Sequence, residues 1–551
     1  MRHLRPAGIL AAGIGAWAAC GATARAQGLL PPTGVDTRVG DLRGYFEQAF
    51  GQVVPPEAGT HAWNYSASLD VSETYDTGVP ISSGGNNQQA HDFITRITPS
   101  VGVTGDSARL VGSLFYGPSA NIYLYHGNQN NIAQNLNGAA TITVIPDFFF
   151  VDLRAFAGEQ SITGYNGPAS TNTVSSSNEA LTTSFSISPT LRHSFSTLAS
   201  AELGYTLSRT AYDANNAVAS STAAQVNQNF TSQQENAILS TGEDFGQFSD
   251  SLSANATQSS GTGPQSGAYS YNYSNSVSYA VTRTLFANGS IGHETYYYGG
   301  PTPYSISDVT WNIGARWTPN PDSSISVGYG HQQGNSSFNM DATYAATADT
   351  RIYARYSQGV GSQSQNLQTA VASTTVNSNG VTVDRTTGQP VVLTNNFFLI
   401  QTQNSLFRTS SFSVSGVLLW PRDIFNVSAQ YQQSTQLTSG VVGVPASSNS
   451  STGTYATFSW SHDVSDDLHT NALIQYGVNS GSGTGTVNGN QSAQGSFLLN
   501  IGMTYSISDT VSTSAQLTYT TEPTGILTVT GTTSNTSEAR VIAVVSIHKN
   551  F

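Results

Sequence analysis

From Trp63 to the terminal Phe551, apolar side chains return at every second position. Val309, Trp311, Ile313, Ala315 and Trp317 alternate with Thr310, Asn312, Gly314 and Arg316. Phe497, Leu499, Ile501, Met503, Tyr505 and Ile507 share one parity, and Asn500, Gly502, Thr504 and Ser506 the other. Ile325-Val327-Tyr329, Ala472-Ile474-Tyr476-Val478, Leu181-Phe185-Ile187-Leu191 and Ala515-Leu517-Tyr519 repeat the pattern at the same spacing. A period of two sends successive side chains to opposite faces of a strand. The chain is therefore expected to be a sheet with one apolar and one polar face.

Composition says which kind of sheet. Charged residues make up only 9% of the 551, and 53 are glycine; a soluble globular domain carries about a quarter charged. Outside the amino terminus no stretch reaches the roughly 20 apolar residues of a membrane-spanning helix. A membrane β-barrel needs apolar residues only at alternate positions, around a polar lumen. The expected fold is an all-β, transmembrane, antiparallel up-and-down β-barrel.

Charge placement tests that expectation. Arg96, Arg109, Asp152, Arg154, Arg192, Glu202, Glu294, Arg316, Arg351, Arg355 and Arg540 fall on the polar parity. A charge at mid-membrane on the lipid face costs roughly 2–4 kcal/mol, falling towards zero at the interface. Glu73, His293, His462 and Lys549 sit on the apolar parity near strand ends. Among the inward strand charges arginines outnumber acids, which predicts a lumen mildly favouring anions.

Connections alternate in length. Gly105-Asp106-Ser107, Pro146-Asp147, Pro319-Asn320-Pro321-Asp322, Pro421-Arg422-Asp423, Ser465-Asp466-Asp467 and Ser508-Asp509-Thr510 are short turns. Residues 164–178, 210–234, 438–452 and 479–492 are long Gly, Ser, Asn and Thr-rich loops. Outer-membrane barrels have short periplasmic turns and longer outer loops. This rule gives about 22 strands, with 18 or 20 as alternatives. Residues 366–400 are read as a hairpin above the membrane, an inward-folded loop or an extra strand pair. The clusters Tyr296-Tyr297-Tyr298 and Phe148-Phe149-Phe150 are read as interface girdle. Phe150, Phe156 and Tyr353 on the lumen parity leave a glycan-stacking track open.

Arg2 and Arg5 precede the apolar run 7–22, and Ala24-Arg25-Ala26 follows. This predicts a secretory signal over residues 1–26, cleaved near Ala26. Lipidation at Cys20 is the alternative, with Trp17 where a small aliphatic residue belongs. Residues 27–62 hold Pro31-Pro32, Pro55-Pro56 and a short helical stretch, and read as a periplasmic lead segment or small plug. The barrel is assigned to 63–551.

The final strand, Val541 to Phe551, resembles the last strand of bacterial outer-membrane barrels, which the assembly machinery reads. Phe551, Ile547 and Val545 carry that signal; Lys549 departs from it and is expected to snorkel. The run Trp63-Asn64-Tyr65-Ser66-Ala67-Ser68-Leu69-Asp70-Val71-Ser72-Glu73-Thr74-Tyr75-Asp76 resembles the opening strand of outer-membrane β-barrels associated with exopolysaccharide and PEP-CTERM export systems. Those continue with Asp-Asn, where this chain has Asp76-Thr77. Phe93 to Val103, Phe148 to Gln160, Ser240 to Phe245 and Tyr279 to Leu285 extend the likeness. The resemblance implies location, architecture and a link to surface polysaccharide, and carries no catalytic residues.

Enzyme chemistry finds little footing. His293-Glu294 opens a zinc-protease motif, but residue 297 is tyrosine. The only lysine is Lys549, which excludes a phosphate-binding loop built on lysine. No EF-hand spacing occurs. The acidic balance of −13 argues against nucleic acid. No cofactor or metal is expected. The sequence therefore predicts an outer-membrane channel or export conduit for polar solutes, including saccharides, through a polar Arg-bearing lumen. Its partners are membrane lipid, the barrel-assembly machinery and surface polysaccharide. The alternatives are a non-conducting scaffold displaying surface loops and, second, a barrel hydrolase with a Ser-His pair.

Overall fold

The structure is a computed structural model. It describes residues 63–83, 86–161, 179–213, 229–362, 405–438, 450–481, 493–523 and 537–551, with Gln365, Gln368, 374–376 and 382–384 between. The signal segment, the lead segment 27–62 and the Asn379-Gly380 turn lie outside the described residues.

The wall begins with β1 (Trp63–Ser83), β2 (Asn86–Asp106), β3 (Leu110–Tyr116, continued by Ser119–Tyr123) and β4 (Asn131–Ala133, continued by Asn135–Ile145). Then follow β5 (Phe149–Ser161), β6 (Glu179–Phe195), β7 (Ala199–Asp213), β8 (Asn229–Thr241), β9 (Phe248–Gly261) and β10 (Tyr269–Ala280). Next come β11 (Leu285–Tyr298), β12 (Tyr304–Trp317), β13 (Ser324–Gln332), β14 (Asn335–Thr347), β15 (Thr350–Gly361) and β16 (Phe407–Leu419). The last six are β17 (Asp423–Gln436), β18 (Ser450–Asp463), β19 (Leu468–Gly481), β20 (Ala493–Ser508), β21 (Val511–Pro523) and β22 (Ser537–Asn550).

Each strand pairs antiparallel with its sequence neighbours, and β1 pairs with β22 from Ser68↔Asn550 to Asp76↔Ile542. The sheet closes as a 22-strand antiparallel barrel. Closure gives every strand a partner on each side and leaves open edge above the short β13–β14 hairpin. Thr, Tyr, Val and Ile suit a pleated surface, so local preference and alternation agree.

The two faces differ sharply. Large apolar side chains such as Ile291, Ile313, Tyr476, Ile501 and Val545 stand exposed on the outside. The inner face buries Ser72, Thr74, Thr182, Ser184, Ser208, Thr210, Gln475, Asn500 and Thr518. An outside that is apolar and an inside that is polar invert the soluble pattern, as membrane barrels do.

One rim carries only short connections; the other carries most of the long ones. The exceptions are β1–β2 and the two-residue turn between β13 and β14, where Gln333 and Gly334 both have positive φ (51° and 71°). That is the backbone of a type I′ hairpin turn. The loops expected at 210–234, 438–452 and 479–492 are shorter than that: β7 runs to Asp213, β8 starts at Asn229, β18 starts at Ser450 and β19 runs to Gly481. At β18 and β19 those ends carry only Ser, Thr, Asn and Gly, and at β8 the apolar Phe230 faces inward, so the alternating pattern stops before the strand does.

Register shifts between Asp76 and Val79 on β1. A bulge changes the facing of every residue beyond it. Val79 therefore turns inward and packs with Ile94 and Tyr123. The girdle reading of the tyrosine cluster needs correction for the same reason of parity. Tyr297 faces outward and stacks on Tyr269 at 5.3 Å. Tyr296 and Tyr298 face inward, stack on each other at 6.3 Å, and Tyr298 packs against Ala268 and Leu406. Of the phenylalanines, Phe148 is exposed outside, whereas Phe150 shares the inner parity with buried Asp152 and Arg154.

Candidate functional site: the inner wall

The inner wall is built from hydroxyl and amide ladders. Ser68 and Ser100 (2.5 Å), Ser184 and Thr210 (3.1 Å), and Ser208 and Ser232 (3.0 Å) bond across neighbouring strands. Asn500 Nδ2 donates to Thr518 Oγ1 at 2.6 Å, and Ser514 meets Ser546 at 2.6 Å. Period-two alternation makes such ladders automatic wherever small polar residues face each other. Several buried wall atoms (Arg154 Nε, Thr182 Oγ1, Thr504 Oγ1 and Thr520 Oγ1) have no partner among the described residues. Buried polar atoms of that kind are satisfied by water or a polar solute.

The expected site residues take the following places. Arg96 stands on the inner face of β2 and its Nε donates to Asn121 Oδ1 at 2.8 Å. Asp152 is buried on β5 and accepts from Thr141 Oγ1 at 2.6 Å. Arg154, two residues along, is also buried and donates to the Leu153 carbonyl at 2.8 Å. Arg192 pairs with Glu202 at 2.7 Å and lies 5.7 Å over the Phe150 ring. Arg316 lies 4.5 Å over Phe286 on the adjacent strand. Glu294 is buried on β11 and accepts from the Gln333 backbone N–H. Arg351 and Arg355 share the inner parity of β15, and Arg355 stands opposite Asp341. Arg109 lies in the turn before β3 rather than on the wall.

Of the carboxy-terminal residues, Val545 and Ile547 are exposed on the outer face and Phe551 is 76% exposed. The Phe551 N–H donates to the Ala67 carbonyl at 2.9 Å. Lys549 Nζ donates to Thr510 Oγ1 at 2.7 Å and lies 6.0 Å over the Phe551 ring.

The register overturns the predicted excess of inward arginine. Asp70, Asp76, Asp92, Asp308 and Asp341 share the inner face with Asp152, Glu202 and Glu294. Acids therefore match the arginines, and Arg192 and Arg540 are held in ion pairs. The fixed-charge argument for anions falls with the excess.

Three features escaped the sequence reading. Asp76, with no exposed side-chain surface, takes both Nε and Nη2 of Arg540 across the β1–β22 seam. Asp92 accepts from the Tyr125 and His126 backbone N–H groups and from His126 Nδ1 at 2.7 Å, organising the connection after β3. Its even parity with Ile94 and Arg96 was legible; its partners were not. Arg209 and Glu235 stand on the outer face, beyond the four apolar-parity charges read from sequence.

The segment that follows β15 is the stretch for which the sequence left three readings. Ser362 Oγ accepts from Gln265 Nε2 at 3.2 Å. Gln365 hydrogen-bonds Tyr298 on the inner face of β11. Gln368 Oε1 accepts from Ser232 Oγ, on the inner face of β8, at 3.0 Å. Thr374–Val376 and Thr382–Asp384 form a small hairpin beside β4. The contacts step from β15 to β11, β8 and β4, halfway round the ring. Of the three readings of residues 366–400, the described pieces are those of a chain running along the inside.

Neither a protein-family model nor a curated protein matches this sequence. Among solved structures it is similar to the siderophore receptor PirA from Acinetobacter baumannii, at TM-score 0.48 and 10% identity, covering 90% of this chain and 81% of that one. It is also similar to the ferric-catecholate import receptor Fiu from E. coli K12, at TM-score 0.48 and 10% identity over 89% and 82%. The FrpB iron transporter from Neisseria meningitidis follows at TM-score 0.48 and 9% identity over 89% and 81%. Likenesses this distant carry nothing about cargo.

Proposed function

We propose that the chain is an outer-membrane conduit for polar solutes, narrowed from within by the segment after β15. The observation that carries this reading is the inner wall itself: ladders of Ser, Thr, Asn and Gln facing a lumen in which the described pieces of this segment touch strands as far apart as β15 and β4. Ladders of this kind exchange hydrogen bonds with hydroxylated solutes at small cost, because solvent and solute offer similar partners. The resemblance at Trp63 to Asp76 favours an oligo- or polysaccharide as the cargo, and surface polysaccharide and the assembly machinery as partners. The apolar outer belt and the export signal favour the outer membrane as its location. Of the inner aromatics, the part-exposed Phe150 and Tyr353 provide sugar-stacking surfaces, whereas Phe156 and Tyr455 are buried in the wall.

Planar-bilayer recording tests the conduit. The full-length barrel is expected to give small single-channel steps, and removal of residues 366–400 is expected to enlarge them. No conductance in either form would refute the reading and favour the scaffold. That second reading draws on one observation: wall residues such as Thr182, Thr210, Gln475 and Asn500 are almost wholly covered.

A further inference from the structure

The outer face at the short-turn rim of β16–β18 holds a cluster the conduit does not use. The turn Trp420-Pro421-Arg422-Asp423 joins β16 to β17, and Asp423 pairs with His462 on β18. Trp420 is 54% exposed and packs edge-on against Phe425 at 5.3 Å. Phe425 lies 6.4 Å from Phe458. Trp460 stacks on His462 at 5.6 Å. An aromatic belt alone needs no carboxylate. Here Asp423 stands among the rings on the lipid side. Its Oδ1 accepts from Trp460 Nε1 at 2.8 Å and from His462 Nδ1 at 2.9 Å. Its Oδ2 has no partner among the described residues, and the side chain is 24% exposed. Arg422, exposed in the same turn, forms no ion pair among the described residues.

An anion with one oxygen open, a cation one residue away and flanking π-faces complement a zwitterion. We propose that this patch is a headgroup site for an ammonium-bearing phospholipid in the leaflet at the short-turn rim, rather than a bare girdle. The ammonium donates to Asp423 Oδ2 beside the Trp420 and Trp460 rings. The phosphate takes the Arg422 guanidinium. The acyl chains lie along Phe425, Val427 and Phe458. Two donors on Oδ1 hold the carboxylate in place, so little is lost in ordering it when the lipid arrives. The site rests on the membrane placement above and is independent of whether the lumen conducts.

Native mass spectrometry of the full-length barrel in neutral detergent tests it, with phosphatidylethanolamine, its N-methylated series ending in phosphatidylcholine, and phosphatidylglycerol. Retention is expected to be strongest for phosphatidylethanolamine. Full methylation, which removes every N–H donor, is expected to weaken it roughly tenfold, the size of one charge-assisted hydrogen bond. Asp423→Asn should erase the preference for the ammonium lipid, and Arg422→Gln should weaken all three lipid classes alike. Trp317→Phe, at the same rim on β12, should change nothing. Equal retention of phosphatidylethanolamine and phosphatidylglycerol would overturn the site, as would a flat methylation series in the unaltered protein. A heat-dependent gel shift reports separately whether each barrel is folded, so failure of the lipid site is distinct from failure of the membrane reading.

Discussion

At the level of single residues, the seam decides most. Asp76 is buried, and Arg540 satisfies it from the opposite end of the chain. Removing one member of a buried pair strands the other charge, at a cost of about 3–5 kcal/mol. Arg540→Ala is therefore expected to lower the temperature at which the folded band is lost on a gel. The double change Asp76→Asn with Arg540→Gln should recover part of the loss, because neither group then holds an unpaired charge. Gly477 gives a second case. A Cβ there would run into the Tyr455 ring on the neighbouring strand. Gly477→Ala should destabilise by about 1–3 kcal/mol through overpacking, measurable by the same shift. Neither glycine nor ring is unusual in the sequence; their contact comes from the β18–β19 register, which pairs Tyr455 with Gly477.

Among the elements, the short hairpin of β13 and β14 stands apart. β12 pairs with β13 only from Trp311 to Trp317, and β14 pairs with β15 only from Met340 downward towards the short turns. Above that level, side chains of the hairpin tip replace strand partners. Gln332 Nε2 donates to the Gln358 carbonyl at 3.3 Å, and Gln333 Oε1 accepts from the Val360 N–H at 2.7 Å. Asp308 accepts from the Val309 N–H at 2.8 Å and from His331 at 2.6 Å. Charged and amide side chains that cap an open edge keep other strands from adding to it. Gln333→Ala should leave the fold intact and speed hydrogen exchange at Val360 by roughly tenfold, the worth of one hydrogen bond. The role of its tip was not legible in the sequence, because it depends on how far the flanking strands rise.

For the molecule as a whole, charge balance is the testable consequence. The inner acids and arginines offset one another, so a reversal potential close to zero is expected in a salt gradient. A strong preference for either ion would place unbalanced charge in the narrowest part of the path. Substituting Arg355 by Gln leaves Asp341 opposite a neutral partner and should move the reversal potential towards cation preference.

Strand number and the division into an apolar and a polar face were legible in the residues alone. Side-chain alternation is a local property of an extended chain, and a lipid-facing surface tolerates few exceptions to it. The bulge after Asp76, the inward turn of Tyr296 and Tyr298, the match of acids to arginines and the partners of Ser362, Gln365 and Gln368 were not legible. Each depends on which strands become neighbours when the sheet closes. Ring closure joins residues hundreds of positions apart, as Asp76 and Arg540 show, and no local period encodes such a pairing.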